Sequence, residues 1–251
     1  MSVSEPTIWQ FAAVVSPRLV YASDRREDAK MITAIVFDLD GLMIDTERTS
    51  LQSWREAYEA AGFELPLDEW RTTVGTWGAS YDPATDLGTR RGRAMTAEEL
   101  DVRRTREWEL AADLPLMPGV REHLEAATTW GLGLGVASSS SRRWVMGQLE
   151  RLGISGCFDC VCTRDDVLQT KPDPSLYYRA LLHLGVDGTE AVAYEDSPNG
   201  LYAAKAAGLR CVVVPGPLTF DGDYSTADVV VASLADVEPK TLWDFIDVEY
   251  S

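Results

Sequence analysis

Apolar and β-branched residues in this chain gather in short unbroken runs, with helix-spaced apolar stripes between them. Residues 32–37, Ile32-Thr33-Ala34-Ile35-Val36-Phe37, form such a run without a polar alternation, which predicts a strand covered on both faces. Residues 46–61 carry Leu51, Trp54, Ala57, Tyr58 and Ala61 at helical spacing and stop at Gly62, which predicts a helix. From 67 to 114 strong helix formers dominate and no strand pattern occurs; Thr96-Ala97-Glu98-Glu99 has the form of an N-terminal cap for a helix continuing to 112. Beyond Pro115 and Pro118-Gly119 the pattern alternates. Helices are predicted over 120–130, 142–152, 175–184 and 200–207, and strands over 132–137, 158–162, 191–195 and 210–214. A short strand at 229–231 and a helix at 241–246 complete the series, which predicts an α/β protein built on a parallel sheet, with a helical insert after the first strand.

Residues 1–30 stand apart. Their four basic residues (Arg18, Arg25, Arg26, Lys30) balance four acidic ones (Glu5, Asp24, Glu27, Asp28), and regular patterning starts abruptly at Met31. This segment reads as an extension, disordered or partly ordered, or as lying upstream of a true start at Met31. Residues 8–15 are mildly apolar, but no Lys or Arg precedes them and no cleavage pattern follows, so they do not read as a signal peptide. No apolar run approaches the roughly 20 residues that a bilayer requires.

Charge narrows the partners. With 23 Lys and Arg against 40 Asp and Glu, the net charge of −17 repels nucleic-acid phosphates and anionic membranes, so neither is expected to bind. An anionic substrate must then be met by local cations, backbone N–H groups or a metal. Four cysteines make no disulfide framework in 251 residues and point to a reducing, cytoplasmic setting. Cys157-x-x-Cys160-x-Cys162 has no second cysteine pair and no nearby histidine, and reads as strand packing. The two histidines, His123 and His183, fall in predicted helices away from strand ends, which argues against a Ser-His-Asp hydrolase. Gly131-x-Gly133-x-Gly135 precedes or lies within a strand, whereas a dinucleotide-binding turn follows one.

In an open parallel sheet, ligands bind at the carboxyl ends of the strands. There the first strand runs into Asp38-Leu39-Asp40-Gly41, the second into Ser138-Ser139-Ser140-Ser141 and the fourth into Glu195-Asp196-Ser197, while Lys171-Pro172-Asp173-Pro174 opens the helix at 175. Four carboxylates so close could not all stay ionised without a cation, and oxygen ligands at a strand end suit Mg²⁺. A nucleophilic carboxylate, a second carboxyl two residues along, hydroxyls and an ammonium together match a phosphoryl group. The serine run also suits a helix cap, which is itself an anion site. Asp165-Asp166 is expected to cap a helix or orient Lys171.

Asp38-Leu39-Asp40-Gly41, Ser138, Lys171-Pro172-x-Pro174 and Glu195-Asp196-Ser197-x-x-Gly200, in this order, resemble the haloacid dehalogenase-like hydrolase superfamily. The insert resembles the helical cap of its β-phosphoglucomutase and phosphatase subgroup. The resemblance implies a Rossmann-like core of residues 31–45 and 116–251, with a cap of residues 46–115. It implies Asp38 as nucleophile, Asp40 as general acid and base, and Ser138, the Ser139 N–H and Lys171 on the phosphoryl oxygens. Mg²⁺ would be held by Asp38, the backbone carbonyl of Asp40, Glu195 and Asp196. The substrate would be a small phosphorylated metabolite such as a sugar phosphate. β-Phosphoglucomutase-like enzymes carry a His and a cap Arg that hold a second phosphate; here those positions fall near Ser50 and Gly78. The string Val74-Gly75-Thr76-Trp77-Gly78 supplies no cation, although Arg90, Arg91 and Arg93 lie nearby in sequence, and Ser50, Gly75, Thr76 and Trp77 are candidates for specificity. A phosphatase is therefore expected ahead of a phosphomutase, and a non-catalytic phosphate-binding module last.

Overall fold

The computed structural model describes residues 31–75 and 81–249, so the expectations for residues 1–30 lie outside the described residues. Among the described residues, six strands form one parallel sheet: β1 (Ala34–Phe37), β2 (Gly133–Ser138), β3 (Cys160–Thr163), β4 (Ala191–Glu195), β5 (Arg210–Val213) and β6 (Val229–Val230). Their spatial order is β3-β2-β1-β4-β5-β6, so β1 lies between β2 and β4 and the chain reverses its direction of winding there. This is the expected Rossmann-like arrangement, and the reversal places the ends of β1, β2 and β4 around one crevice.

The unbroken apolar run of β1 has a direct cause. Ile35 and Phe37 face a layer that includes Val120, Leu124, Val145, Leu149 and Trp243, whereas Ala34 and Val36 face Leu176, Tyr177, Ala180 and Leu201. Helices α5 (Val120–Thr129), α6 (Arg142–Arg151) and α9 (Pro239–Glu249) supply the first layer, and α7 (Ser175–Leu184) and α8 (Pro198–Ala206) the second. With helices on both faces, neither side of the strand meets water, and polar alternation has no function.

Between β1 and α5 lie α1 (Thr46–Ala60), α2 (Leu67–Arg71), α3 (Pro83–Arg90) and α4 (Ala97–Ala111). α1, α2, α3 and their connecting segments share an apolar cluster, Leu51, Tyr58, Leu65, Trp70, Val74 and Leu87, against which Leu218 of the segment after β5 also packs. The capping box is present at α4: Thr96 Oγ1 accepts the Glu99 N–H at 3.2 Å, and the Glu99 carboxylate accepts the Thr96 N–H at 2.8 Å.

Element ends differ from the sequence pattern where side chains decide them. The strand expected at 158–162 occupies Cys160–Thr163, because Phe158 turns into the core and the Asp159 carboxylate accepts the Leu134 N–H at 2.9 Å. The last helix starts at Pro239 rather than 241, where Glu238 caps it by accepting the Thr241 N–H at 2.6 Å. His123 is buried and bonded to the Tyr194 hydroxyl at 3.0 Å, as a structural histidine would be, and all four cysteines are free thiols. No described helix is long and apolar enough to cross a membrane.

Candidate active site

Asp38 follows the last residue of β1, and its backbone N–H reaches the Tyr194 carbonyl at 2.9 Å, extending the ladder to β4. Its carboxylate, 4% exposed as a residue, meets the Lys171 ammonium, which also pairs with Glu195 at 2.6 Å. The Tyr177 hydroxyl donates to the same Glu195 oxygen. Asp38, Glu195 and Asp196 each present an oxygen within 4.8 Å of the others. Burial raises the Asp38 and Asp196 carboxyls well above the ordinary range; neighbouring carboxylates add to this and Lys171 opposes it. Burial also works against the Lys171 ammonium, but Asp38 and Glu195 override it and hold Lys171 more firmly cationic than a free lysine.

Three carboxylates and one ammonium leave this centre short of positive charge. Among the described residues, Glu195 Oε2 and Asp196 Oδ1 are buried without a hydrogen-bond partner. Such orphaned oxygens are costly unless a cation meets them, so the donor set fits a hard divalent ion. Gly41, in the turn after Asp40, and Gly200, in the first turn of α8, follow from the same crowding. A Cβ on Gly200 would run into the Glu195 carboxylate, and one on Gly41, whose φ is +87°, would run into Asp196.

Asp40 lies beside this cluster but is held differently. Its Oδ2 accepts from Ser140 Oγ at 2.7 Å and Ser138 Oγ at 3.3 Å, and its Oδ1 from Thr46 Oγ1 at 2.6 Å and Trp144 Nε1 at 2.8 Å. Ser138 Oγ also accepts the Ser140 N–H at 3.0 Å, and Ser141 caps α6 by accepting the Trp144 N–H at 3.3 Å. Ser140, Thr46, Trp144 and Tyr177 are contacts that the spacing of motifs did not reveal; only Ser140 carried a signal, as part of the serine run. Glu47 is another. Burial and the nearby Asp40 push its carboxyl well up, and its Oε1 accepts the Gly75 N–H at 3.4 Å.

Contacts tie the insert over the crevice. Ser139 Oγ donates to the Gly75 carbonyl at 3.2 Å, Asn199 Nδ2 to the Val74 carbonyl at 3.0 Å, and Arg71 Nε to the Leu218 carbonyl at 3.0 Å. Gly75 thus lies against the site, whereas Ser50 is half-buried in α1, its carbonyl accepting from Ser53 Oγ at 2.9 Å. Thr76, Trp77 and Gly78 lie outside the described residues. Arg90 pairs with Asp86 at 2.6 Å, and Arg91 and Arg93 both pair with Glu99, at 2.6 and 2.8 Å. These arginines are committed within the insert. Asp165 and Asp166 do not orient Lys171: Asp165 accepts the Arg142 N–H at 2.8 Å at the start of α6, and Asp166 accepts the Thr163 N–H at 2.9 Å and pairs with Arg142.

Comparison with known proteins identifies the family. The model of the haloacid dehalogenase-like hydrolase family matches residues 35–214. The putative phosphatase YhcW of Bacillus subtilis is 39% identical over 218 residues, covering 86% of this chain and 99% of that protein. Hexitol phosphatase B of Escherichia coli is 32% identical over 220 residues, covering 85% of this chain and 97% of that protein. The crystal structure of CbbY from Rhodobacter sphaeroides in complex with phosphate superposes with a TM-score of 0.68 at 32% identity, covering 82% of this chain and 96% of that one. The chain belongs to the haloacid dehalogenase-like hydrolase family and stands among its phosphoric monoester hydrolases.

Proposed function

We propose that this haloacid dehalogenase-like hydrolase is a Mg²⁺-dependent phosphatase of a small phosphorylated metabolite, a sugar or sugar-alcohol phosphate, working in the cytoplasm through an aspartyl-phosphate. The observation that carries the reading is the buried centre of Asp38, Lys171, Glu195 and Asp196 at the carboxyl ends of β1 and β4. Asp38, Glu195, Asp196 and the backbone carbonyl of Asp40 would hold Mg²⁺. The ion would supply positive charge to the phosphoryl oxygens and to the Asp38 carboxylate.

In this reading Asp38 attacks phosphorus while the bond to the substrate oxygen breaks, and Asp40 gives its proton to the departing alkoxide. Asp40, now a carboxylate, takes a proton from the water that cleaves the aspartyl-phosphate. Ser138, the Ser139 N–H and Lys171 would hold the phosphoryl oxygens. Residues 46–115 would act as a cap over the core of residues 31–45 and 116–251, excluding water from the first transfer.

Hydrolysis is favoured over mutase chemistry by the insert's own ion pairs. A mutase retains and turns a doubly phosphorylated intermediate, which requires a cation beyond the catalytic centre. Arg90, Arg91 and Arg93 instead hold Asp86 and Glu99. The test is phosphate release from a panel of sugar and sugar-alcohol phosphates, with Mg²⁺ and with chelator. Mg²⁺-dependent release from at least one compound is expected. Conversion of β-glucose 1-phosphate to its 6-phosphate, with no net release, would overturn the phosphatase reading in favour of the mutase.

A further inference from the structure

Asp40 carries the proton in the function proposed above, and the inference drawn here rests on that role. Its two carboxylate oxygens are held by different parts of the molecule. Oδ2 meets Ser138 and Ser140, both in the loop that ends β2. Oδ1 meets Thr46, the first residue of the insert, and the indole N–H of Trp144 in the first turn of α6.

Trp144 differs in kind from the hydroxyls. An indole N–H donates and cannot accept, and it does not titrate. Trp144 can therefore fix the direction of Oδ1 but can neither take nor replace the proton of Asp40. Its ring is not seated by the core alone. Trp108 of α4 meets it edge-on, with centroids 4.6 Å apart and planes at 68°. Trp108 in turn fills the space above Gly147, where a Cβ would come within 2.5 Å of its ring. Glycine is otherwise unfavourable inside a helix such as α6. Trp108 of the insert, seated on Gly147 of α6, leads through Trp144 to the Asp40 carboxylate.

We propose that Trp144 is a positioning residue for Asp40, and that Trp108 seats the Trp144 indole so that its N–H stays directed at Oδ1. The step served is the first transfer. The bond from Asp38 to phosphorus forms, the bond from phosphorus to the alkoxide breaks, and the proton of Asp40 passes to the alkoxide. A nitrophenolate leaving group departs without that proton, so the defect caused by a misplaced Asp40 depends on the leaving group.

Trp144→Phe keeps a ring against Trp108 and removes the N–H. Its kcat/KM, which reports only through the first transfer, is expected to fall about tenfold on the best sugar phosphate and to stay within about twofold on p-nitrophenyl phosphate. Equal losses on both substrates, or none on either, would overturn the proposal. Gly147→Ala leaves every donor to Asp40 in place, favours the helix and displaces the Trp108 ring; a smaller loss with the same leaving-group dependence is expected, and an unchanged ratio between the two substrates would refute the role of Trp108.

A second readout needs neither metal nor turnover. In the metal-free protein, the indole proton resonance that Trp144→Phe deletes should move upfield in Asp40→Ala and should also move in Gly147→Ala. A resonance indifferent to Asp40→Ala would refute the contact. Failure of the phosphatase reading is told apart by Asp38→Asn: undiminished turnover there defeats the proposed chemistry, while the indole shifts still decide the Trp144 contact.

Discussion

The buried ends of the sheet and the exposed ion pairs on the surface of the helical insert spend their charges in opposite ways. At the sheet ends, Lys171 and Glu195 are 1% and 0% exposed, Asp196 is 1% exposed, and one buried oxygen each of Glu195 and Asp196 has no hydrogen-bond partner among the described residues. In the insert, Arg93 and Glu99 leave 58% and 31% of their side chains exposed, and Arg106 and Glu56 leave 43% and 34%. Exposed pairs gain little because water already solvates both partners. Buried charges lose that solvation and persist only where something else compensates. The contrast separates buried charges that lack full compensation within the described residues from charges that water already solvates.

The largest effect that could break this contrast is at the nucleophile. Asp38→Asn is expected to lower phosphate release by at least about 10³-fold, and near-normal turnover would show that the buried centre is not the reactive one. Lys171→Met comes next. It leaves Asp38 and Glu195 without their buried cation, and urea titration of the metal-free protein should show about 3–5 kcal/mol less stability, with turnover also falling by about 10²-fold. Unchanged stability would mean that the pair is already relieved by protonation.

Asp196→Asn sharpens the comparison through pH. The Asp196 carboxyl sits well above its ordinary value in the fold, chiefly through burial and then through its carboxylate neighbours. A group whose pKa rises on folding contributes stability below its unfolded value, about 4, and loses that contribution as pH rises through the folded value. In the absence of metal, the variant should therefore gain stability over the wild type as pH is taken from about 4 to 8, while its Mg²⁺ midpoint rises at least about tenfold. A stability difference that stays constant with pH would remove burial as the cause. The smallest effect belongs to the insert. Arg93→Ala and Arg106→Ala should leave thermal melting and kcat/KM unchanged within error, and a large loss in either would contradict the division between the two regions.

Much of the core was legible in the sequence for a physical reason. A strand covered on both faces must be apolar along its whole length, so residues 32–37 marked β1 directly. The end of such a strand is where the chain can first present polar groups to a crevice. That rule led to Asp38, Asp40, Ser138, Glu195 and Asp196, and the structure brings all of them together with Lys171. Thr96 and Glu99 marked the start of α4 because a capping box is local, made by residues three apart. Less was legible in the insert, whose arginines looked available until the fold paired Arg90 with Asp86 and Arg91 and Arg93 with Glu99.

The sequence by itself determined the alternation of elements, the parallel sheet and the carboxylates at the strand ends, since each depends on local periodicity or on position relative to a strand. Only the tertiary structure decided which groups hold those carboxylates. Tyr177 reaches Glu195 across 18 residues of chain, Trp144 reaches Asp40 across 104, and Ser139 reaches Gly75 across 64. Such contacts depend on how separate helices and loops pack, and no spacing along the chain encodes the direction in which an indole or a hydroxyl will point once they do.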